Sequence, residues 1–174
     1  MLLAALVATA ASIPAAATGG AAPSRGAQVG YVFPVLGLHD FGSSNSRFGA
    51  GRTGHTHQGH DVMAECGIPV VAARGGLVQH SGYEDAAGNY LVIDGRGTSL
   101  DMAYMHLAEL PLPQAGDTVR TGQQLGTVGD TGSATGCHLH FEIWTGPGWF
   151  EGGSPIDPLP YLLRWDRYGA TRSR

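Results

Sequence analysis

Lysine is missing from this 174-residue chain, whose ten basic residues are all arginines. The absence excludes a Schiff-base enzyme, a P-loop nucleotidase and a lysine-tethered lipoyl or biotinyl carrier, each of which needs an ε-amino group. Charge is sparse, at 14% of residues with a formal net charge of −4. With no Lys/Arg cluster, nucleic acid is not an expected partner. Long helical periodicity is also lacking, and the longest helical run is Leu159 to Trp165. Cysteine is limited to Cys66 and Cys137, far apart and without the Cys-x-x-Cys spacing of a structural zinc site.

What the chain has in quantity is glycine and proline, 28 and 10 residues. They mark frequent tight turns and hence short strands. Tyr31–Val35 is a short β-type run, followed by a polar loop from Ser43 to Gly54 that carries Arg47 and Arg52. Further runs follow at Ile68–Ala73, Leu77–His80, Tyr90–Ile93, Met102–Leu107, Asp117–Arg120, Gln124–Val128 and His138–Trp144, most of them bounded by glycine. This spacing predicts an all-β fold, an antiparallel sandwich or open sheet with a groove-shaped site and very little helix.

Met1 to Ala17 is apolar and alanine-rich, and the first charge is Arg25. The stretch reads as a secretory leader with a cleavage site at Ala15-Ala16-Ala17. A basic n-region is missing, so the true start lies upstream or the leader is atypical. A membrane anchor needs a clean apolar span of ~20 residues, and Pro14 with the nearby glycines weakens that reading; no stable membrane insertion is expected once the leader is removed. The expected organisation is a leader over 1–24, a linker and first strand over 25–45, one catalytic module over 46–163 and a tail over 164–174. An even cysteine count in an exported chain favours a Cys66–Cys137 disulfide over free thiols or thiolate ligands.

Two segments carry chemistry. His57-Gln58-Gly59-His60-Asp61 lies upstream, and His138-Leu139-His140-Phe141-Glu142 lies far downstream. Side chains two or four apart on a strand share a face. On neighbouring strands His57, Asp61 and His140 would therefore converge, with His138 beside them. Two imidazoles and a carboxylate are the donor set of a catalytic zinc with one open position. Zinc lowers the pKa of water toward ~7 and polarises a carbonyl, while histidines titrate in the range needed to move the protons. His106, on the run Tyr104-Met105-His106-Leu107, and His138 are assigned that work. By itself His106 reads as well as a hydrogen-bonded core histidine.

The motifs resemble those of the lysostaphin/LytM-type zinc metallopeptidases, which cleave peptide cross-links of bacterial peptidoglycan. The likeness runs from about Phe48 to Trp144. It rests on His57-x-Gly59-x-Asp61, Gly67-Ile68-Pro69-Val70-Val71-Ala72-Ala73, Tyr104-x-His106-Leu107, Gly116-Asp117-x-Val119, Gly122-Gln123-x-Leu125-Gly126, Gly129-Asp130-Thr131-Gly132 and His138-Leu139-His140-Phe141-Glu142. The resemblance implies one zinc per chain, held by His57, Asp61 and His140, with His106 and His138 catalytic. His60 stands where the family is usually apolar, and alternation points it away from the metal; His55 is the better placed accessory.

The expectation is thus a secreted zinc metalloendopeptidase acting on peptidoglycan peptides in the cell wall or periplasm. The alternative is a non-catalytic LytM-like wall protein that activates another hydrolase; such relatives typically lose metal ligands, and none is lost here. Ser133 and Thr135, in the glycine-rich loop 129–136, are expected to wall one end of the groove. Arg47 and Arg52 could meet substrate carboxylates, although loop arginines are more often solvated.

Overall fold

The computed structural model of the chain describes residues 30–149 and 151–172, with backbone alone for 168–172. The leader expected over 1–24 lies outside the described residues. In chain order the elements are β1 (His39–Asp40), a 3-10 turn (Ser44–Ser46), β2 (Gly51–Arg52), β3 (His55–Thr56), β4 (His60–Ala64), β5 (Pro69–Val71), β6 (Gly76–Glu84) and β7 (Gly88–Gly95). There follow β8 (Leu100–Leu107), β9 (Thr118–Val119), β10 (Gln124–Thr127), β11 (His138–Thr145), β12 (Pro155–Ile156) and α1 (Leu159–Arg172).

The main sheet runs β1-β4-β11-β8-β7-β6-β9, with β12 added to β11, and every pairing is antiparallel. A small β5–β10 sheet covers one face. Alternation sorts the side chains of the central strands. Val62, Leu91, Ile93, Met102, Tyr104, Leu139, Phe141 and Ile143 point to one side and are almost fully buried. There they meet Val70 and Leu125 of the small sheet and Leu162 and Trp165 of α1. Each such apolar side chain contributes about 1.5–3 kcal/mol through burial. Tyr104 adds a polar tether, accepting Ala73 N–H at 2.8 Å. The opposite face carries a smaller cluster of Ala87, Tyr90, Val92, Ala103, Met105 and Trp149, and it is this face that opens to solvent as a groove.

Several elements differ from the sequence reading: β6 and β7, expected over Leu77–His80 and Tyr90–Ile93, extend each other as a longer hairpin over Gly76–Glu84 and Gly88–Gly95. Tyr31–Val35 forms no ladder of its own. It rests on β5 through an isolated Val35–Val70 bridge and the bonds Val32 N–H to Ala73 O and Val71 N–H to Pro34 O; Pro34 has no N–H with which to continue a ladder. The terminal helix starts at Leu159, as expected, but runs to Arg172 rather than stopping near Trp165. Asp157 accepts Leu159 N–H at 3.0 Å and starts it. Once Leu162 and Trp165 are seated in the core, each further residue adds a backbone bond at little entropic cost.

Candidate metal centre and groove

The site is built on one pair of strands. β4 and β11 are in register with Asp61 opposite His140 and Val62 opposite Leu139. Leu139 and Phe141 therefore fill the core while His138, His140 and Glu142 face the groove with Asp61. At the end of this pair Cys66 and Cys137 form a disulfide, Cα–Cα 5.2 Å, closing a sequence separation of 71. The expected bond is present, and both sulfurs are committed to it rather than to a metal.

His57 arrives differently. It lies on the loop before β4, not on a strand, so shared strand parity with Asp61 is not what places it. Its backbone is held by His57 N–H to Ala50 O and Gly49 N–H to His57 O, each 2.8 Å. The loop then passes hard against β11 at Gly59. A Cβ there would sit 2.5 Å from Phe141 O and 2.7 Å from His140 Nε2. Only glycine lets the chain approach this closely, and the approach turns the His57 ring back over Asp61.

Hydrogen bonds decide which ring nitrogens carry protons. His57 Nδ1–H donates to Arg47 O at 2.9 Å, and His140 Nε2–H donates to Glu142 Oε1 at 3.0 Å. With both rings neutral, the inward atoms, His57 Nε2 and His140 Nδ1, are the ones that carry lone pairs, and they lie 2.9 Å apart. Asp61 Oδ1 completes a triangle, 3.0 Å from the first and 2.9 Å from the second. In that state three lone pairs meet in a buried place and call for a positive charge, a proton or a metal ion. A tetrahedral ion with bonds of ~2.0–2.1 Å has ligand edges of about 3.3 Å, so the triad is slightly tighter than that geometry and fits it with one position open. His57, Asp61 and His140 are the residues able to hold a metal. Without a metal a proton takes the place of the ion among these atoms: burial would raise the Asp61 pKa, yet hydrogen bonds from His140 and His57 outweigh it and hold the carboxyl well below the usual range. Burial likewise opposes protonation of His140, but Asp61 and Glu142 overcome it and push its pKa up to about 9.

His106 and His138 flank the triad, their ring centroids 4.8 Å apart. His138 Nδ1–H donates to Gly136 O at 2.8 Å, and its Nε2 stands 3.6 Å from Asp61 Oδ1. His106 reaches the groove against strand parity. Regular alternation from Tyr104 would bury it in the core, the bland reading of this residue. Instead Met105 and His106 both line the groove and Leu107 returns to the core. The turn is made by a positive φ of 61° at His106, the single non-glycine case among the described residues, beside a register shift between Asn89 and Leu91. Such a conformation costs about 1–2 kcal/mol. It is held by His106 N–H to Ala87 O and by Nδ1–H to Thr131 O, both 2.8 Å. Thr131 is itself fixed by donating to Leu107 O and accepting Asn89 N–H. Burial and the neighbouring His140 and His138 push the His106 pKa down to about 4, so the ring is neutral near pH 7 and offers a bare Nε2.

The remaining candidates separate clearly. His60 is fully buried on the core side, bonded through Nε2 to Phe41 O at 3.1 Å. His55 is exposed on the β2–β3 hairpin, at the groove's rim and outside the triad. Ser133 and Thr135 line the groove. Arg52 does not wait for a substrate carboxylate; its Nη2 donates to Asp61 Oδ2 at 3.2 Å. Arg47 contributes a carbonyl, not its guanidinium. Sequence reasoning quoted Glu142 but gave it no role. Its position two residues after His140 on one strand already placed it on the same face, and that parity was the available signal.

The groove encloses about 840 Å³, with the triad, His106, His138, Met105, Trp144 and Trp149 among its lining residues. Residues 55–158, the stretch that contains all of these residues, match the profile of Peptidase family M23. The chain belongs to that family. It is 41% identical over 87 residues to the peptidoglycan DD-endopeptidase ShyC of Vibrio cholerae, covering 50% of this chain and 20% of ShyC. The fold is similar to the antimicrobial peptidase lysostaphin from Staphylococcus simulans, with a TM-score of 0.61, 28% identity, and 68% and 48% of the two chains covered. It is equally similar to a zinc containing peptidase from Vibrio cholerae, with a TM-score of 0.61, 29% identity, and 74% and 39% covered. The chain spans about a fifth of the length of ShyC.

Proposed function

We propose that the chain is an exported zinc metalloendopeptidase that hydrolyses peptide cross-links of peptidoglycan, with one zinc held by His57, Asp61 and His140. The observation that carries the reading is the triangle of His57 Nε2, His140 Nδ1 and Asp61 Oδ1, with edges of 2.9–3.0 Å, in the wall of the groove. When bound, zinc supplies Lewis acidity that polarises a peptide carbonyl and makes water nucleophilic near neutral pH. The chain's own groups do the rest. His106 and His138 present their Nε2 atoms to the groove from the same side as the triad. Between them they take the proton from water and return it to the leaving amine. The Thr131 and Gly136 carbonyls hold the two rings so that Nε2 is the atom offered. Ser133 and Thr135 wall the groove where the peptide lies. An open groove lined by both polar and apolar side chains suits an extended peptide, and the name of ShyC supplies peptidoglycan as the substrate class. Export is supported by the leader-like 1–24 segment and by a disulfide that oxidising compartments preserve. No helix among the described residues is long and apolar enough to cross a membrane.

The deciding experiment measures zinc content and lysis of purified walls for the parent and His140→Ala. One zinc per chain with lysis, both lost in the variant, is the expected result. Lysis unchanged by the substitution overturns the mechanism. Stoichiometric zinc without lysis of any wall points instead to a wall-associated protein that activates another hydrolase.

A further inference from the structure

The carboxylate behind His140 has no part in the mechanism above, and its setting is unusual. Glu142 is 4% exposed, and three N–H groups converge on it. His140 Nε2–H donates to Oε1 at 3.0 Å, while Trp144 Nε1–H at 2.7 Å and Trp149 Nε1–H at 3.2 Å both donate to Oε2. An indole nitrogen is a donor only, so the position of Oε2 must be filled by an acceptor. Resting on the metal reading given above, we propose that Glu142 is a positioning residue: clamped by Trp144 and Trp149, it keeps the His140 proton on Nε2 and so leaves Nδ1 bare toward the ion.

The clamp makes an isosteric substitution more damaging than its size suggests. In Glu142→Gln the two indoles claim the amide oxygen. The amide NH2 then faces His140 Nε2, which must become an acceptor, and the imidazole proton moves to Nδ1. That atom is the one 2.9 Å from both His57 Nε2 and Asp61 Oδ1. Adding Trp144→Phe and Trp149→Phe frees the amide to turn over, put its oxygen toward Nε2–H and restore the original tautomer. A side chain that merely supported packing would show the opposite pattern, since removing two indoles could only add damage.

The test is zinc affinity, by chelator competition on the full chain, for the parent, E142Q, W144F/W149F and the triple variant. E142Q should bind zinc roughly 10–100-fold more weakly than the parent, and the triple variant more tightly than E142Q. In the metal-free proteins at alkaline pH, ¹⁵N imidazole shifts should place the His140 proton on Nε2 in the parent and on Nδ1 in E142Q. Parent-like affinity in E142Q, or a triple variant no tighter than E142Q, overturns the proposal. If circular dichroism shows the triple variant unfolded, the E142Q tautomer decides, and a proton retained on Nε2 sinks the idea. If E142Q is itself unfolded, W144F alone decides: a severalfold loss of affinity is expected, and none overturns. A parent that binds no zinc removes the metal reading along with this one. A parent that binds zinc with no weakening in E142Q removes only this one.

Discussion

The groove side chains reach the site by two routes of unequal strength. Asp61, His138, His140 and Glu142 stand on a regular antiparallel ladder, where one register places all four on the same face over a buried row of Val62, Leu139 and Phe141. His57 and His106 stand where the regular pattern breaks, one on a loop pressed past Gly59 and the other on a strained bulge. On the ladder, position follows from the hydrophobic core, because a slip of one residue would expose the whole apolar row. Off the ladder, each position depends on a few local contacts that must offset a local cost. The first half of the site should therefore resist change that would dislodge the second.

The largest test attacks the ladder. Replacing Cys66 and Cys137 by alanine opens a closure of 71 residues, which the chain-entropy model values at about 4 kcal/mol. Chemical denaturation should show that loss, while zinc binding survives wherever the chain is folded, since the register is also held by the core. Loss of zinc binding in the folded double variant would mean that the ladder is not self-sufficient.

Titration separates the two routes next. In the metal-free protein, NMR should find His140 titrating at about 9 and His106 at about 4. The signs are opposite. The stabilisation from His140 is fully present below its unfolded pKa of ~6.5 and is lost as pH rises through about 9. His106 is held neutral, so the unfolded chain binds more protons as pH falls from ~6.5 toward 4, and stability drops across that window. Zinc must displace the His140 proton, so apparent affinity should climb about tenfold per pH unit between 7 and 9 on this account. A flat affinity profile there would count against the coupling of Asp61, His140 and Glu142.

Smaller still is Gly59→Ala. Its Cβ would meet the Phe141 carbonyl and the His140 ring, an overpacking cost of about 1–3 kcal/mol. The loop should back away and take His57 with it, so zinc affinity falls more than stability does. Equal stability and affinity to the parent would show that the close approach is not needed. The smallest effect compares His106→Gly with His106→Ala. Both remove the imidazole and should abolish lysis. At a φ of 61° glycine should be the more stable by about 1 kcal/mol, the reverse of the ordinary strand preference. Alanine equal to or above glycine would argue against strain at the bulge.

Much of this was legible in the chain itself. The alternation of His138, Leu139, His140, Phe141 and Glu142 is a period-two pattern, and a strand with one face buried can satisfy it in only one way. The same logic turned His60 into the core, while the disulfide was expected on other grounds, an even cysteine count in an exported chain. The short strands were found where expected, but glycine marked their ends less well: β6 runs through Gly82 to Glu84 and β7 takes in Gly88 and Gly95, because ladder bonds to neighbouring strands outweigh the local preference. Arg52 was read as a loop arginine, solvated or meeting a substrate carboxylate, and instead donates to Asp61; which ion pair forms depends on the placement of the β2–β3 hairpin, and no local pattern encodes that.

Sequence alone determined the donor types, the ladder that carries most of them and the face they occupy, since composition and period-two patterning are local properties that burial then enforces. Only the tertiary structure decided that His57 folds back and that His106 turns out of the core. Both depend on contacts between segments far apart in the chain: Gly59 against Phe141 and His140, and Thr131 under His106. Such contacts exist only after the sheet has closed; at His106 they overrule strand parity, and at His57 they stand in for it.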